Sequence, residues 1–259
     1  MLDVTFDLIN FEYILLILVR IASFMFVAPF FNQRGVPAQA KIGLSFFIAV
    51  LLYEVVPEPS LDYSGVVGYG IVVLKEGITG MLIGFAAYIC NSIVVFAGSL
   101  IDMDIGLSMA QEFNPDMSMQ ITATGNLYYY LVFAMLLATN MHHYILRAVC
   151  DSFYVIPIGG AEFEWDSLLV SMTTYMTDLF VIGFRIFLPV FAVIMIMNCI
   201  LGVMAKVASQ MNMFSIGIQL KIIVGFVVLF LTIFLFPSVS DMVFDEIKKM
   251  VVLFVEGMY

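Results

Sequence analysis

The chain has 259 residues, of which 63% are hydrophobic and 12% charged, and its formal net charge is -10. That much apolar surface cannot be hidden inside one water-soluble core, so the sequence reads as an integral membrane protein. An acidic balance without any Lys/Arg cluster to displace counterions from a phosphate backbone excludes nucleic acid as a partner.

The N-terminal stretch carries Asp3, Asp7 and Glu12 and no positive charge before Arg20, so it lacks the basic region of a cleavable signal and the first hydrophobic segment is expected to stay attached. Breaks at Pro, Gly and charged residues predict six helices, at about Phe11–Phe31, Lys41–Val56, Val66–Leu100, Ile121–Phe153, Leu168–Ala208 and Ile218–Val255. The connections Asn32–Ala40, with Gly35 and Pro37, and Pro57–Gly65, with two prolines, read as turns and not as interdomain linkers.

Charge-free runs at Gly77–Ile101, Met117–Leu146, Ile186–Ala205 and Ile222–Ser240 are long enough to span a hydrocarbon core about 30 Å thick. Val66–Leu100 and Leu168–Ala208 exceed one crossing, so each must tilt, kink or leave the bilayer, with Gly183 and Pro189 marking the expected kink in the second. Beyond Pro237 the last helix becomes amphipathic, with Phe244, Ile247, Val251 and Phe254 on one side, a face expected to meet a partner or the membrane interface. Positive charge in Asn32–Lys41 and Lys206–Lys221 places those connections in the cytoplasm. With six crossings, both termini then lie outside and the acidic, methionine-rich stretch Asp102–Asp116 inside.

Arg20, Lys75, Glu76, Asp178, Arg185, Lys206 and Lys221 sit within or at the ends of apolar segments, where an ionised group at mid-bilayer costs about 2.5–3.5 kcal/mol. They either snorkel at helix ends or face other helices or a wet path. Asp178 and Arg185 lie two turns apart on one helical side, and Arg147 and Asp151 are at i,i+4. Strips of small residues, Gly77, Gly80 and Gly84 and then Gly202, Ala205, Ala208 and Ser209, invite close helix contact.

Catalytic and metal signatures are missing from the sequence. Neither a GxSxG nucleophile nor an HExxH zinc pattern occurs, and the adjacent His142 and His143 diverge by about 100° on a helix. Cys90, Cys150 and Cys199 are far apart in apolar settings and read as small buried hydrophobes. No cofactor or metal is therefore expected, and Asp102 with Asp104 is only an isolated DxD.

The run LVRIASFMFVAPFFNQRGVPAQAKIGLSF (Leu18–Phe46), with Arg20, Pro29, Pro37 and Lys41, resembles the opening of the flagellar biosynthetic protein FliR family. KEGITGMLIGF (Lys75–Phe85), AGSLIDMDIGLSMAQEFNP (Ala97–Pro115), HHYILRAVCDSFYVIPIG (His142–Gly159) and LGVMAKVASQMNMFSIGIQLKI (Leu201–Ile222) resemble its later motifs, in order. Ser209 and Gln219 stand where that family commonly has proline.

The resemblance implies an all-α polytopic protein of helical hairpins in a multisubunit export gate, one subunit spanning 1–259 with a FliP-like part at 1–167 and a FliQ-like hairpin at 168–259. It also implies FliP-like, FliQ-like and FlhB-like partners in the bacterial inner membrane at the flagellar basal body, with unfolded flagellar proteins as substrate and no enzymatic activity. Gly106–Met119 is then expected to form a channel plug, in which Met109, Phe113, Met117 and Met119 supply soft apolar filling and Gly106 and Pro115 shape the loop. Asp102, Asp104 and Glu112 are expected to keep its base hydrated, and Arg20, Glu76, Asp178, Arg185, Lys206 and Lys221 to serve intersubunit pairing or assembly. The competing readings are an ion-coupled secondary transporter, which would show inverted repeats around a midplane site, and the related gate subunit of a virulence secretion system.

Overall fold

A computed structural model describes residues 8–33, 35–56, 63, 65–108, 111–207 and 213–259. In chain order the elements are α1 (Leu8–Val27), α2 (Ala38–Tyr53), α3 (Gly65–Ile105), β1 (Gln111–Asn114), β2 (Met119–Thr122), α4 (Ala123–Ala138), α5 (Met141–Val155), α6 (Trp165–Val207), α7 (Met213–Thr232) and α8 (Phe236–Glu256). Among the described residues three stretches, Gly65–Ile105, Trp165–Val207 and Ile216–Glu256, are long and apolar enough to cross a membrane. An all-α polytopic membrane protein is thus the observed architecture, with one small β-hairpin added.

Two of the six predicted helices are each divided in two. Ile121–Phe153 breaks at Asn140, whose left-handed backbone (φ 58°) interrupts the helical ladder between α4 and α5. Asparagine is one of the few residues that adopts this conformation readily, and neither Gly nor Pro marks the spot. Ile218–Val255 breaks at a 3-10 turn, Ile233–Leu235, and Pro237 follows in the first turn of α8, where its missing N–H costs nothing. By contrast α3 has no internal proline and runs for 41 residues, about 60 Å, between Gly65 (φ 74°) and Gly106 (φ 98°). Gly106 ends it with a glycine C-cap in which the Leu107 N–H donates to the Asp102 carbonyl at 2.7 Å.

The chain separates into two compact units, one of residues 1–89, 140–174 and 247–259, the other of residues 90–139 and 175–246. In the first, α1 packs on α3 through the expected glycine strip. A Cβ on Gly80 would lie 2.1 Å from the Arg20 carbonyl oxygen, and one on Gly84 would lie 3.0 Å from that of Phe24, so only glycine permits this approach. Arg20 and Glu76, both fully buried, meet in that contact. The guanidinium donates Nε to Oε2 at 2.6 Å and Nη2 to Oε1 at 3.0 Å, while Nη1 reaches the Ile156 carbonyl at 3.0 Å. The Phe153 ring lies 4.2 Å from the guanidinium carbon, and the Gly159 N–H completes the carboxylate's shell at 2.9 Å. Of the intersubunit pairing or assembly expected of Arg20 and Glu76, the pairing is found inside this chain, each being the other's partner.

In the same unit, residues 162 and 164 donate their N–H groups to the carbonyls of Met258 and Gly257, both at 3.1 Å, which ties the entry to α6 to the end of α8. Ile247, Val251 and Phe254 are buried, and Phe254 meets Phe85 edge-on at 6.3 Å. The amphipathic face of α8, expected to meet a partner or the membrane interface, is therefore covered at these residues by this chain itself.

In the second unit, α3 and α4 meet where a Cβ on Gly98 would lie 2.4 Å from the Gly125 Cα. Helix α6 continues through Gly183 and Pro189. At Gly183 the missing side chain seats the Phe96 ring, 2.6 Å from where a Cβ would stand. Gly202 has nothing within 4 Å of its would-be Cβ, so the second small-residue strip makes no comparable contact there; Ala208 and Ser209 lie outside the described residues. Cys199 is exposed instead of buried, while Cys90 is buried and Cys150 intermediate.

Candidate functional site

The segment expected to be a plug loop folds as an antiparallel hairpin. Gln111 pairs with Thr122, Glu112 with Ile121, Phe113 with Gln120 and Asn114 with Met119, so the expected loop carries two strands, the second of which extends past Met119 to Thr122. Asn114–Pro115–Asp116 is the turn signal. The buried Asn114 side chain accepts the N–H groups of Asp116 at 2.9 Å and Met117 at 3.1 Å, Pro115 presets the bend, and Ser118 closes it with a positive φ of 56°.

Of the predicted plug residues, Phe113 and Met119 are 58% and 48% exposed, Gly106 and Pro115 are exposed, and Met117 is half-buried. Met109 lies outside the described residues. The hairpin thus presents a phenylalanine and a methionine at its surface, large apolar side chains on a structure too small to bury them.

Two polar clusters hold the base and the body of the hairpin. Asp102, near the end of α3, is fully buried and accepts both the backbone N–H of Thr124 at 2.8 Å and its hydroxyl. Thr122, the N-cap of α4, makes no side-chain cap of its own, so the Asp102 carboxylate supplies what the first turn lacks and faces the positive end of the helix dipole. The expected hydrated role of Asp102 is therefore corrected to a structural one. Higher up, Asn114 Nδ2 donates to Asn126 Oδ1 at 2.7 Å, and Asn126 Nδ2 donates to Glu112 Oε2 at 3.2 Å. Because Asn114 Oδ1 is committed to the turn, the amide orientations in this chain of bonds are mutually fixed.

Asp102→Ala removes two bonds to a buried carboxylate and is expected to cost about 2–3 kcal/mol, seen as a lowered unfolding temperature in detergent. Asp102→Asn keeps an acceptor for the Thr124 N–H and should fall between the two; a melting point unchanged in both variants contradicts the capping role.

The other predicted charges lie apart from the hairpin. Asp178 is half-buried and Arg185 exposed on α6, where Arg185 lines a cleft of about 190 Å³ with Pro189, Thr232 and Phe236. Lys206 is exposed near the end of α6, and Lys221, half-buried on α7, acts electrostatically on Asp104. No cluster of three metal-ligating side chains occurs among the described residues. Thr124 and Asn126 were missed by the sequence reading, and their signal was available: polar residues just past a turn motif, at the head of an apolar run.

The sequence pattern of the bacterial export proteins, family 1, matches residues 11–247, which takes in α1 through most of α8. The chain belongs to the bacterial export proteins, family 1. Similar proteins include the flagellar biosynthetic protein FliR of Bacillus subtilis (strain 168), 32% identical over 222 residues that make up 85% of each chain. Those of Buchnera aphidicola subsp. Acyrthosiphon pisum (strain APS), at 26% over 88% of this chain and 89% of that one, and of Escherichia coli (strain K12), at 24% over 89% and 87%, bear the same name. The family 1 match therefore encloses the Arg20–Glu76 pair, the Asp102 cap and the whole hairpin.

Proposed function

We propose that this chain is a non-enzymatic subunit of the flagellar type III protein-export gate, seated in the bacterial inner membrane at the basal body, and that the Gly106–Met119 segment closes the channel. The observation that carries the closure is the hairpin itself: in a chain of the bacterial export family, it joins two apolar helices and displays Phe113 and Met119. Apolar side chains of this kind seal against hydrated ions by excluding water, and the flexible, polarisable methionine yields to the varied side chains of an unfolded protein.

In this reading residues 1–167 form the FliP-like part and 168–259 the FliQ-like hairpin, packed against FliP-like and FliQ-like subunits beside an FlhB-like one. Asp178, Arg185, Lys206 and Lys221 pair with those neighbours, which offsets the cost of holding charge next to lipid. Unfolded flagellar proteins are the substrate. Native mass spectrometry of the mildly extracted complex should find this chain with FliP-like and FliQ-like chains.

Deleting Gly106–Met119 should raise ion leakage through the assembled gate, measured as potassium release from vesicles made from the cell's own membranes. Equal leakage from equal amounts of assembled wild-type and deleted gate would sink the plug assignment.

A further inference from the structure

We infer that Asn126 is a latch that holds the hairpin in its closed seat, an inference that rests on the plug reading above. The hairpin is held at two places of different character. At its base, the end of α3 and the start of α4 are fixed to each other by the buried Asp102–Thr124 contact and by the glycine-to-glycine approach of Gly98 and Gly125. Neither can open without stranding a buried carboxylate or separating two packed backbones.

The body of the hairpin is held otherwise. Side-chain hydrogen bonds from the first turn of α4 to the hairpin body include those of one carboxamide, Asn126, which accepts from Asn114 at 2.7 Å and donates to Glu112 at 3.2 Å. Asn126 is half-buried; its bond to Glu112 is exposed, so water can take that one over directly, while the part-buried bond to Asn114 becomes open to water only as β1 moves away. A bond that water can take over is cheap to break and easy to remake. Both partners lie on β1, while β2 passes directly into α4 at Thr122 and Ala123. Breaking the two bonds therefore removes the Asn126 clasp on β1, so that the hairpin, its β1–β2 ladder intact, can swing about the junction of β2 with α4 while the base stays in place. The geometry divides the segment into a permanent base and a releasable clasp, as a gate needs if it is to open for a passing chain and close again.

The test uses the full-length chain in the gate assembled with its partner subunits. Asn126→Leu keeps the side-chain size and removes both hydrogen bonds. Loss of two bonds of ordinary net strength shifts the closed-to-open ratio roughly tenfold, so potassium leak from membrane vesicles should rise by about that factor at unchanged assembled yield. The deletion of Gly106–Met119 is measured beside it. If the deletion leaks and Asn126→Leu stays tight, the latch is overturned and the plug stands; if neither leaks, the plug reading falls and takes the latch with it.

A second variant carries the test should Asn126→Leu fail to assemble. Asn114→Cys with Asn126→Cys, joined by a short reducible crosslinker, should halt export of a flagellar substrate, and reduction should restore it. Export that continues through the crosslinked gate overturns the latch, and a halt that reduction reverses supports it.

Discussion

Arg20→Ala should remove most of the folded protein from the membrane. The substitution leaves the Glu76 carboxylate fully buried with the Gly159 N–H as its remaining partner, and strands the carbonyl of Ile156 as well. Breaking a buried ion pair from one side costs about 3–5 kcal/mol, against a total stability of about 5–15 kcal/mol for an ordinary domain. Glu76→Ala should be as damaging, because it strands the guanidinium. Replacing both at once, as Arg20→Met with Glu76→Leu, removes both charges together and should be milder than either single change, a non-additivity that identifies the pair as the cause. The readouts are membrane abundance and unfolding temperature in detergent. Wild-type values for Arg20→Ala would mean that α1, α3 and α5 are held together by something else.

Gly80→Ala is the second large effect, and it acts through shape alone. The added methyl would stand 2.1 Å from the Arg20 carbonyl oxygen and 2.2 Å from Ser23 Oγ, and a carbonyl cannot rotate away as a side-chain tip can. Helix α1 must move off α3, which also disturbs the Arg20 side chain on the same turn. The expected cost is about 2–3 kcal/mol. Gly202→Ala is the matched control: nothing lies within 4 Å of its Cβ position. There, alanine's better helix propensity of up to about 1 kcal/mol should leave stability equal or raised. If the two variants melt alike in detergent, close packing is not what selects glycine at position 80.

How much could be read from the sequence depended on whether the deciding physics was local. Apolar length and the spacing of Gly77, Gly80 and Gly84 were enough to foresee membrane helices and one tight helix contact, because both follow from periodicity along a single segment. Arg20 and Glu76 were recognised as charges in need of partners, but their mutual pairing across 56 positions was not visible, since it exists only once α1 and α3 are packed. Asn140 split a predicted helix without Gly or Pro to announce it. The hairpin was hidden for a related reason: each strand has four residues, too few for an alternation to emerge, and its signal lay in Asn114–Pro115–Asp116. Asp102 was misjudged because a carboxylate beside a loop normally faces water; only the unfilled N-cap of α4 accounts for its burial.

The junction between β2 and α4 has a mechanical meaning. Thr122 is the last strand residue and the helix N-cap at once, so no slack chain separates the two elements. While Asn126 grips β1, helix and hairpin form one bent lever, its short arm a strand of four residues or about 13 Å. A tilt of α4 by about 10° then carries the turn at Pro115 sideways by roughly 2 Å over that arm, a displacement comparable to the radius of a water molecule.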